Sequence, residues 1–184
     1  MLRKLPRTFY ERDTITVAKD LLGKYLIHNQ HGLEYIGRIV EVEAYLGPHD
    51  LASHSSKGLT QRTKVMFGPA GYAYIYLIYG MHYCTNIVTE TEGTGSAILL
   101  RAIEPVKNIQ GRTQGPGLLS KAMHIDKELN QHDLTSDILY IAEEENQCAF
   151  SIVEKPRIGV HYAKEWAEEL LRFYIKDNAF ISKP

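Results

Sequence analysis

The chain has 184 residues, 44% of them hydrophobic, and a formal net charge of −1. This length allows one well-buried core but not two ordinary domains, so we expect residues 1–184 to form a single domain. The near-zero charge excludes the strongly basic composition of many nucleic-acid binders, although it allows one basic face. Cys84 and Cys148 lie far apart without metal-binding spacing, which indicates reduced thiols in an intracellular protein.

The basic N-terminus is followed by no apolar run of signal-peptide length. No stretch approaches the roughly 18 apolar residues that span a membrane. We therefore expect a cytoplasmic protein that is neither secreted nor membrane-bound. No repeat or coiled-coil pattern calls for an oligomer, so a monomer is expected.

The first part of the chain predicts a helix and a hairpin. Apolar residues at helical spacing after Asp13 predict a helix over 15–22. Residues 24–27 and 33–45 carry β-branched and aromatic side chains on both sides of a polar break at 28–32, which predicts a hairpin.

A long, weakly periodic connection over residues 47–69 follows, and such connections are usually functional. It places His54 on a loop or a short helix. Alternating residues on both sides of Gly80 predict a second hairpin. The later elements are a strand over 97–105, a helix from about 118, short strands over 139–141, 150–153 and 171–174, and a helical turn over 163–169.

The segment RIVEVEAYLGPHDLASH, residues 38–54, places Glu43 and Tyr45 on one side of a strand. An ionised glutamate is almost never fully buried without a partner, so this pair predicts a lined pocket. The alternative is a partly exposed strand that carries Glu41 and Glu43 as surface carboxylates. We assign Glu41 a structural role.

Seven of the 12 tyrosines fall between residues 35 and 83. Most are expected to pack in the sheet, as tyrosine commonly does. Tyr79 is different, because an aromatic residue beside the Gly80 turn should stand at the hairpin tip. An exposed ring on a rigid hairpin is typical of a wedge that unstacks a duplex.

Three further polar residues need partners. Arg101 interrupts an apolar strand and requires an acceptor, for which Glu43 and Glu104 are candidates. A structural ion pair unrelated to activity is the alternative. Asn86 lies among apolar residues and should hydrogen bond. His49 and His54 could share a metal only if a third ligand such as His82 came close.

Five motifs in order along nearly the whole chain resemble the alkyladenine, or 3-methylpurine, DNA glycosylases. They are residues 38–54, MFGPAGYAYIYLIYGMHYCTN, AILLRAIEP, GPG before a helix, and RIGVHYAKEW with LRFY. The resemblance implies a nucleoid-associated base-excision repair enzyme that flips alkylated or deaminated purines out of double-stranded DNA and hydrolyses the glycosidic bond. It implies no metal and no cofactor.

The resemblance also implies residue roles. Glu43 would activate the water, with Arg101 and the backbone carbonyl of Ile158 helping to position it. The wall of the base pocket would comprise Tyr45, His54, Tyr76, Asn86, Ala52 and Met66. Asn86 would disfavour the amino group of normal guanine.

The DNA itself would contact other residues. Tyr79 and Met81 would intercalate, while Gly117 and Lys121 would meet the backbone. Relatives often have a lysine after the GPG or GPS triplet where this chain has Leu118, so that contact is expected to be lost or moved to Lys121.

The fold expected is α+β, with a curved, mainly antiparallel, open-barrel-like sheet, surrounding helices and a protruding Tyr79 hairpin. Three other functions were considered. A non-catalytic binder of damaged DNA would not need Glu43 beside Arg101. A small-molecule or RNA hydrolase would be favoured only if Tyr79 were buried. A bifunctional lyase lacks a lysine in the pocket motifs.

Overall fold

The structure is a computed structural model that describes residues 1–145 and 148–184. These residues form nine strands, three α-helices and four short 3-10 helices. The strands are β1 (Leu2–Lys4), β2 (Tyr25–Gln30), β3 (Leu33–Tyr45), β4 (Ala73–Ile78), β5 (His82–Thr89), β6 (Ser96–Lys107), β7 (Leu139–Glu144), β8 (Ile152–Lys155) and β9 (Arg172–Ile175). The α-helices are α1 (Arg7–Tyr10), α2 (Thr14–Leu21) and α3 (Pro116–Ala122), and the 3-10 helices cover His54–Lys57, Thr63–Val65, Lys127–Leu129 and His161–Ala167.

The strands form one antiparallel sheet in the order β1-β7-β2-β3-β6-β5-β4, and β9 joins β3 with β8 outside it. Within the described residues β1 and β4 do not pair, so the sheet stays open. Register shifts in the β3–β6 ladder flank Glu41, and such irregularities bend a strand. The predicted α+β fold with a mainly antiparallel sheet is confirmed.

Most predicted elements are present with bounds shifted by one to three residues. The predicted polar break at 28–32 is wrong, because β2 continues to Gln30 and only His31 and Gly32 turn. His28 is buried in the strand, and its Nδ1 has a partner there, the carbonyl oxygen of Met123 at 2.7 Å. The sequence missed β1 and α1, which are too short to show a period. They depend on distant partners, such as Asp133 for Arg7 (2.6 Å).

The second hairpin turns at Tyr79 and Gly80, which both have positive φ values of 50° and 67°. Two consecutive positive φ values are typical of the tight turn that matches strand twist. The β5–β6 ladder ends at the pair Asn86–Leu99 although β6 continues to Lys107, so the outer part of the hairpin separates from β6. The predicted protruding hairpin is therefore present.

Helix α3 packs between the hairpin and β6. Ser120 Oγ lies 2.9 Å from Thr85 Oγ1 on β5, and a Cβ added to Gly117 would lie 2.8 Å from Cβ of His82. Gly117 thus allows the close approach of α3 and β5, which gives this residue a packing role besides any contact with DNA.

The main core lies between the sheet and helices α2 and α3, where Leu21, Val42, Leu100 and Leu119 are fully buried. Among the described residues no helix is long and apolar enough to cross a membrane.

Candidate active site

A cavity of about 440 Å³ opens where β3, β5 and β6 meet the 47–69 connection. It brings together ten of the predicted site residues: Glu43, Tyr45, Ala52, His54, Met66, Tyr76, Tyr79, Asn86, Arg101 and Ile158. The predicted DNA contacts Met81, Gly117 and Lys121 lie outside it. The volume falls in the range of small-molecule sites.

Glu43 has a fully buried side chain that is fixed by three neighbours. Tyr45 donates its hydroxyl hydrogen to Glu43 Oε2 (2.7 Å), and the backbone N–H of Ile158 donates to Glu43 Oε1 (2.7 Å). Arg101 Nη1 lies 3.4 Å from Glu43 Oε1. A carboxylate has about four acceptor positions, so these contacts leave one position free on Oε2.

The predicted role of Ile158 concerned its carbonyl group. The contact with Glu43 is instead made by the N–H of that residue. The role of the carbonyl toward a water stays a prediction.

Arg101 connects the two carboxylates of β3, because Arg101 Nε also lies 3.4 Å from Glu41 Oε1. Glu41 further accepts from Arg172 (3.0 Å) and from the backbone N–H of Ser182. Glu41 is absent from the cavity lining, so its contacts are structural. The alternative that Glu41 and Glu43 are surface carboxylates is wrong, because both are fully buried.

The prediction that Glu104 could be the partner of Arg101 is wrong. Residues three apart on a strand point to opposite faces. Glu104 instead lies 3.6 Å from Arg38 and accepts from Asn178.

Tyr45 is held from behind by a buried ion pair. The Arg157 guanidinium lies 4.7 Å from the Tyr45 ring centroid, and its two Nη atoms contact both oxygens of Asp50 at 2.5 and 2.9 Å. Burial, and then the neighbouring Glu43 carboxylate, raise the pKa of Tyr45 well above its usual value. Tyr45 therefore stays a hydrogen-bond donor at neutral pH.

An aromatic wall forms the opposite side of the cavity. The His54 ring lies 4.6 Å from the Tyr76 ring and is steeply inclined to it, and the Tyr74 and Tyr76 centroids are 5.3 Å apart. His54 Nδ1 lies 3.0 Å from the Tyr74 hydroxyl. Burial, with a smaller effect of Arg62, lowers the pKa of His54 to about 4. The imidazole is therefore neutral at physiological pH.

This neutral histidine makes a prediction for stability. Between pH 6.5 and about 4 the unfolded chain binds a proton at His54 that the folded chain does not, so the free energy of unfolding should fall as the pH falls. The loss should reach up to about 3 kcal/mol, at roughly 1.4 kcal/mol per pKa unit. Urea unfolding of His54→Asn should show a flatter pH profile than the wild type. His31→Asn, at an exposed turn, is the matched control. Parallel profiles for wild type and His54→Asn would contradict the assignment.

Asn86 is 4% exposed and its side-chain N–H donates to the carbonyl of Tyr74 (3.0 Å). This hydrogen bond, which the sequence predicted without its partner, fixes the amide beside the cavity. Because one amide hydrogen is used, the oxygen and the second hydrogen are the groups left for other contacts.

The hairpin tip carries three exposed apolar side chains. Tyr79 is 90% exposed, Met81 69% and Leu77 45%. The exposure of Tyr79 matches the prediction and removes the condition that would have favoured the small-molecule or RNA hydrolase.

Arg62 and Tyr162 are among the cavity residues that were not predicted from the sequence. The Arg62 guanidinium lies 5.1 Å from the Tyr76 centroid, and the Tyr162 hydroxyl donates to the carbonyl of Ala52 (3.2 Å). The basic residues of the 47–69 connection were the signal for Arg62. Tyr162 had no signal beyond its place in the RIGVHYAKEW motif.

The condition for a metal shared by His49 and His54 is not met in the described part of the chain, where no three His, Cys, Asp or Glu residues are grouped to hold an ion. The three histidines have separate environments. His49 packs on Trp166, His54 on the tyrosines and His82 against Gly117.

Comparison with known proteins gives consistent matches. Residues 8–179 match the family model of methylpurine-DNA glycosylase. A protein of Legionella pneumophila (strain Corby), provisionally named 3-methyladenine DNA glycosylase, is 75% identical over 99% of this chain and 100% of its own length. Two relatives with the same provisional name are each 48% identical to this chain. The protein of Myxococcus xanthus (strain DK1622) matches over 97% of this chain and 93% of its own length. The protein of Alkaliphilus oremlandii (strain OhILAs) matches over 98% of this chain and 99% of its own length.

Proposed function

The chain belongs to the methylpurine-DNA glycosylase family and is a DNA glycosylase, and from that premise we propose that it excises damaged purines from duplex DNA. In this proposal a water molecule positioned by Glu43 hydrolyses the glycosidic bond. The proposed substrates are 3-methyladenine, 7-methylguanine, hypoxanthine and ethenoadenine. One observation carries the mechanism: a buried carboxylate with three fixed contacts and one free acceptor position faces the cavity.

The proposed role of Glu43 follows from the charge that forms during cleavage. As the base departs, the sugar becomes oxocarbenium-like, and a carboxylate beside it stabilises that positive charge. The free position on Oε2 accepts a hydrogen bond from a water, whose oxygen then attacks the anomeric carbon while Glu43 takes the proton. Tyr45, Ile158 and Arg101 hold the carboxylate in place for this step. A carboxylate is only a weak base, but that is sufficient, because the sugar cation is a strong electrophile.

The aromatic walls supply the proposed base recognition. Tyr45 on one side and His54 with Tyr76 on the other offer flat surfaces for a purine, and an aromatic face attracts a cationic alkylated base. Ala52 and Met66 complete the apolar wall. The Asn86 amide is fixed by its hydrogen bond to Tyr74, and its second N–H would face the exocyclic amino group of normal guanine. Two donors that face each other in such a pocket stay unpaired, which opposes binding.

The hairpin supplies the proposed wedge. Tyr79, with Met81 beside it, would fill the space that the flipped nucleotide leaves, and the two together expose a ring and a thioether at the end of a rigid turn. Stacking of this kind is worth about 1–3 kcal/mol per base.

The wedge makes a prediction of its own. Tyr79→Ala should lower excision from duplex DNA by about 10- to 100-fold because the open base pair loses its stacking partner. Circular dichroism should show an unchanged fold, since the side chain is 90% exposed. Tyr79→Phe keeps the ring and should retain most of the activity. Wild-type excision by Tyr79→Ala would refute the wedge.

Other possibilities fit less well. A non-catalytic binder has no use for the Glu43–Arg101 pair (3.4 Å) and is at odds with the names of the relatives. A lyase would need an amine, and among the described residues that line the cavity there is no lysine. We propose that residues 1–184 act as one monofunctional glycosylase domain and as a monomer.

The test is release of free base from duplexes that carry a single defined lesion or only normal purines. We expect 3-methyladenine and 7-methylguanine to be excised faster than the neutral hypoxanthine and ethenoadenine, because a cationic base is already a good leaving group. The normal duplex should release no base above background. A protein that binds all duplexes and releases no base would overturn the proposal.

A further inference from the structure

A second cavity, of about 590 Å³, lies on the opposite side of α3 from the hairpin, and of its described lining residues Lys121 alone was expected to contact DNA. Its floor includes Tyr35 and Leu118, and its rim carries the basic side chains Arg112, Lys121 and His124. No acidic residue belongs to the described lining. We propose that this cavity, called here the Arg112 cavity, binds the phosphodiester backbone of the DNA duplex beside the flipped nucleotide. The inference rests on the proposed function, because it assumes that DNA is flipped at the first cavity.

Two cations of the Arg112 cavity have no ion-pair partner among the described residues. Arg112 and Lys121 are exposed and form no ion pair or side-chain hydrogen bond with any residue that the structure describes. Glu34, which is adjacent in sequence to the lining residues Leu33 and Tyr35, is already paired with Lys107 at 2.9 Å. Asp126, two residues beyond His124, accepts from the backbone N–H of Glu128 and is absent from the described lining. Unpaired cations around a concave surface produce a positive potential that favours an anion.

The sheet register places this cavity at the same end of the molecule as the hairpin tip. Because β5 and β6 run antiparallel, the tip lies level with the C-terminal end of β6. The segment that carries Arg112 follows the C-terminal end of β6 and then runs back beside this strand, where Gln114 forms an isolated antiparallel β-bridge with Ala102. The β2–β3 turn lies there too, since Ile36 pairs with Lys107.

Helix α3 connects the two cavities directly. Pro116, at its start, lines the active-site cavity, and Lys121, near its end, lines the Arg112 cavity. Five residues of helix rise about 7.5 Å, at roughly 1.5 Å each. This is about two base steps of 3.4 Å along one DNA strand. A strand whose nucleotide enters the first cavity would therefore pass the Arg112 cavity within a few nucleotides.

The lining chemistry fits a phosphodiester in particular. Arg112 and Lys121 supply charge, and the ring of His124, 4.7 Å from that of Tyr35, supplies an N–H donor. Asn108 lies at the same rim. The two rings, Tyr35 and His124, are close together and inclined at 52° to each other, so they leave no parallel slot for a base. The contact should therefore be independent of sequence.

The test compares Arg112→Gln/Lys121→Gln with wild type and with Lys176→Gln, an exposed lysine beyond β9 on the other side of β3. Binding to an undamaged duplex is measured by fluorescence anisotropy across a range of salt. Each lost phosphate contact should reduce the slope of log Kd against log salt by about 0.9. The double variant should therefore lose close to two units and bind up to about 50-fold more weakly near 0.1 M salt. Lys176→Gln should keep the wild-type slope.

A second measurement locates the contact. Duplexes with a tetrahydrofuran abasic-site analogue are made with one neutral methylphosphonate at successive positions along the lesion strand. Neutralisation about two nucleotides from the analogue should weaken the wild type and leave the double variant unchanged. An unaltered salt slope, or methylphosphonate effects equal in both proteins, would overturn the proposal. Failure of the glycosylase mechanism would appear separately, as wild-type protein that binds duplex without releasing base.

Discussion

Replacing Glu43 with glutamine is expected to lower the single-turnover excision rate by about 10³-fold or more, in the range found when a positioned general base is lost. Glutamine keeps the shape of the side chain but removes the negative charge that would stabilise the cationic sugar as the base departs. Tyr45 and Ile158 each donate a hydrogen bond to a different oxygen of Glu43. In glutamine an amide nitrogen replaces one of these oxygens and cannot accept, so one of the two donors loses its acceptor. The measurement is rapid-quench excision with enzyme in excess over a 7-methylguanine duplex.

Glu41→Gln is the matched control for this result. Glu41 lies on the same face of β3 and touches the same Arg101, but it is absent from the cavity lining. We expect Glu41→Gln to lose stability, since Arg172 and Ser182 lose a charged acceptor, and to retain much more of the excision rate than Glu43→Gln. Equal rates for wild type and Glu43→Gln would end the assignment of the base.

The two glutamates also show which part of the cavity lining could be predicted from the sequence. Residues two apart on a strand share a face, so Glu43 and Tyr45 were paired by local geometry alone. The hairpin was equally local, because a tyrosine beside a turn glycine has no core to enter. The order of the five motifs then indicated the family, which the matches confirm.

What the sequence could not predict depends on distant contacts. The N–H that fixes Glu43 comes from Ile158, 115 residues away, and Asp50 and Arg157 are separated by 107 residues. A buried ion pair has no periodic signature, because each partner alone resembles a surface charge. The same holds for His28, whose burial depends on the carbonyl of Met123.

Arg157→Met is expected to destabilise the fold by about 3–5 kcal/mol, the usual cost of leaving one member of a buried pair alone. Asp50 and Arg157 have no exposed side-chain surface. Arg157 also donates to the carbonyls of Ala44 (2.9 Å) and Trp166 (3.2 Å), so three segments lose a common contact. Thermal unfolding should shift down by roughly 10 °C or more for a domain of this size.

A second variant separates stability from positioning. In Asp50→Leu/Arg157→Met both charges are gone, and apolar replacement of a buried pair often recovers stability. We therefore expect the double variant to melt above Arg157→Met. Its excision rate should nevertheless stay at least about tenfold below wild type with little change in KM, because the Tyr45 ring has lost the guanidinium behind it and no longer holds Glu43 as firmly. If activity returned together with stability, Arg157 would be purely structural. If only stability returned, Arg157 would be a positioning residue for the Tyr45–Glu43 pair.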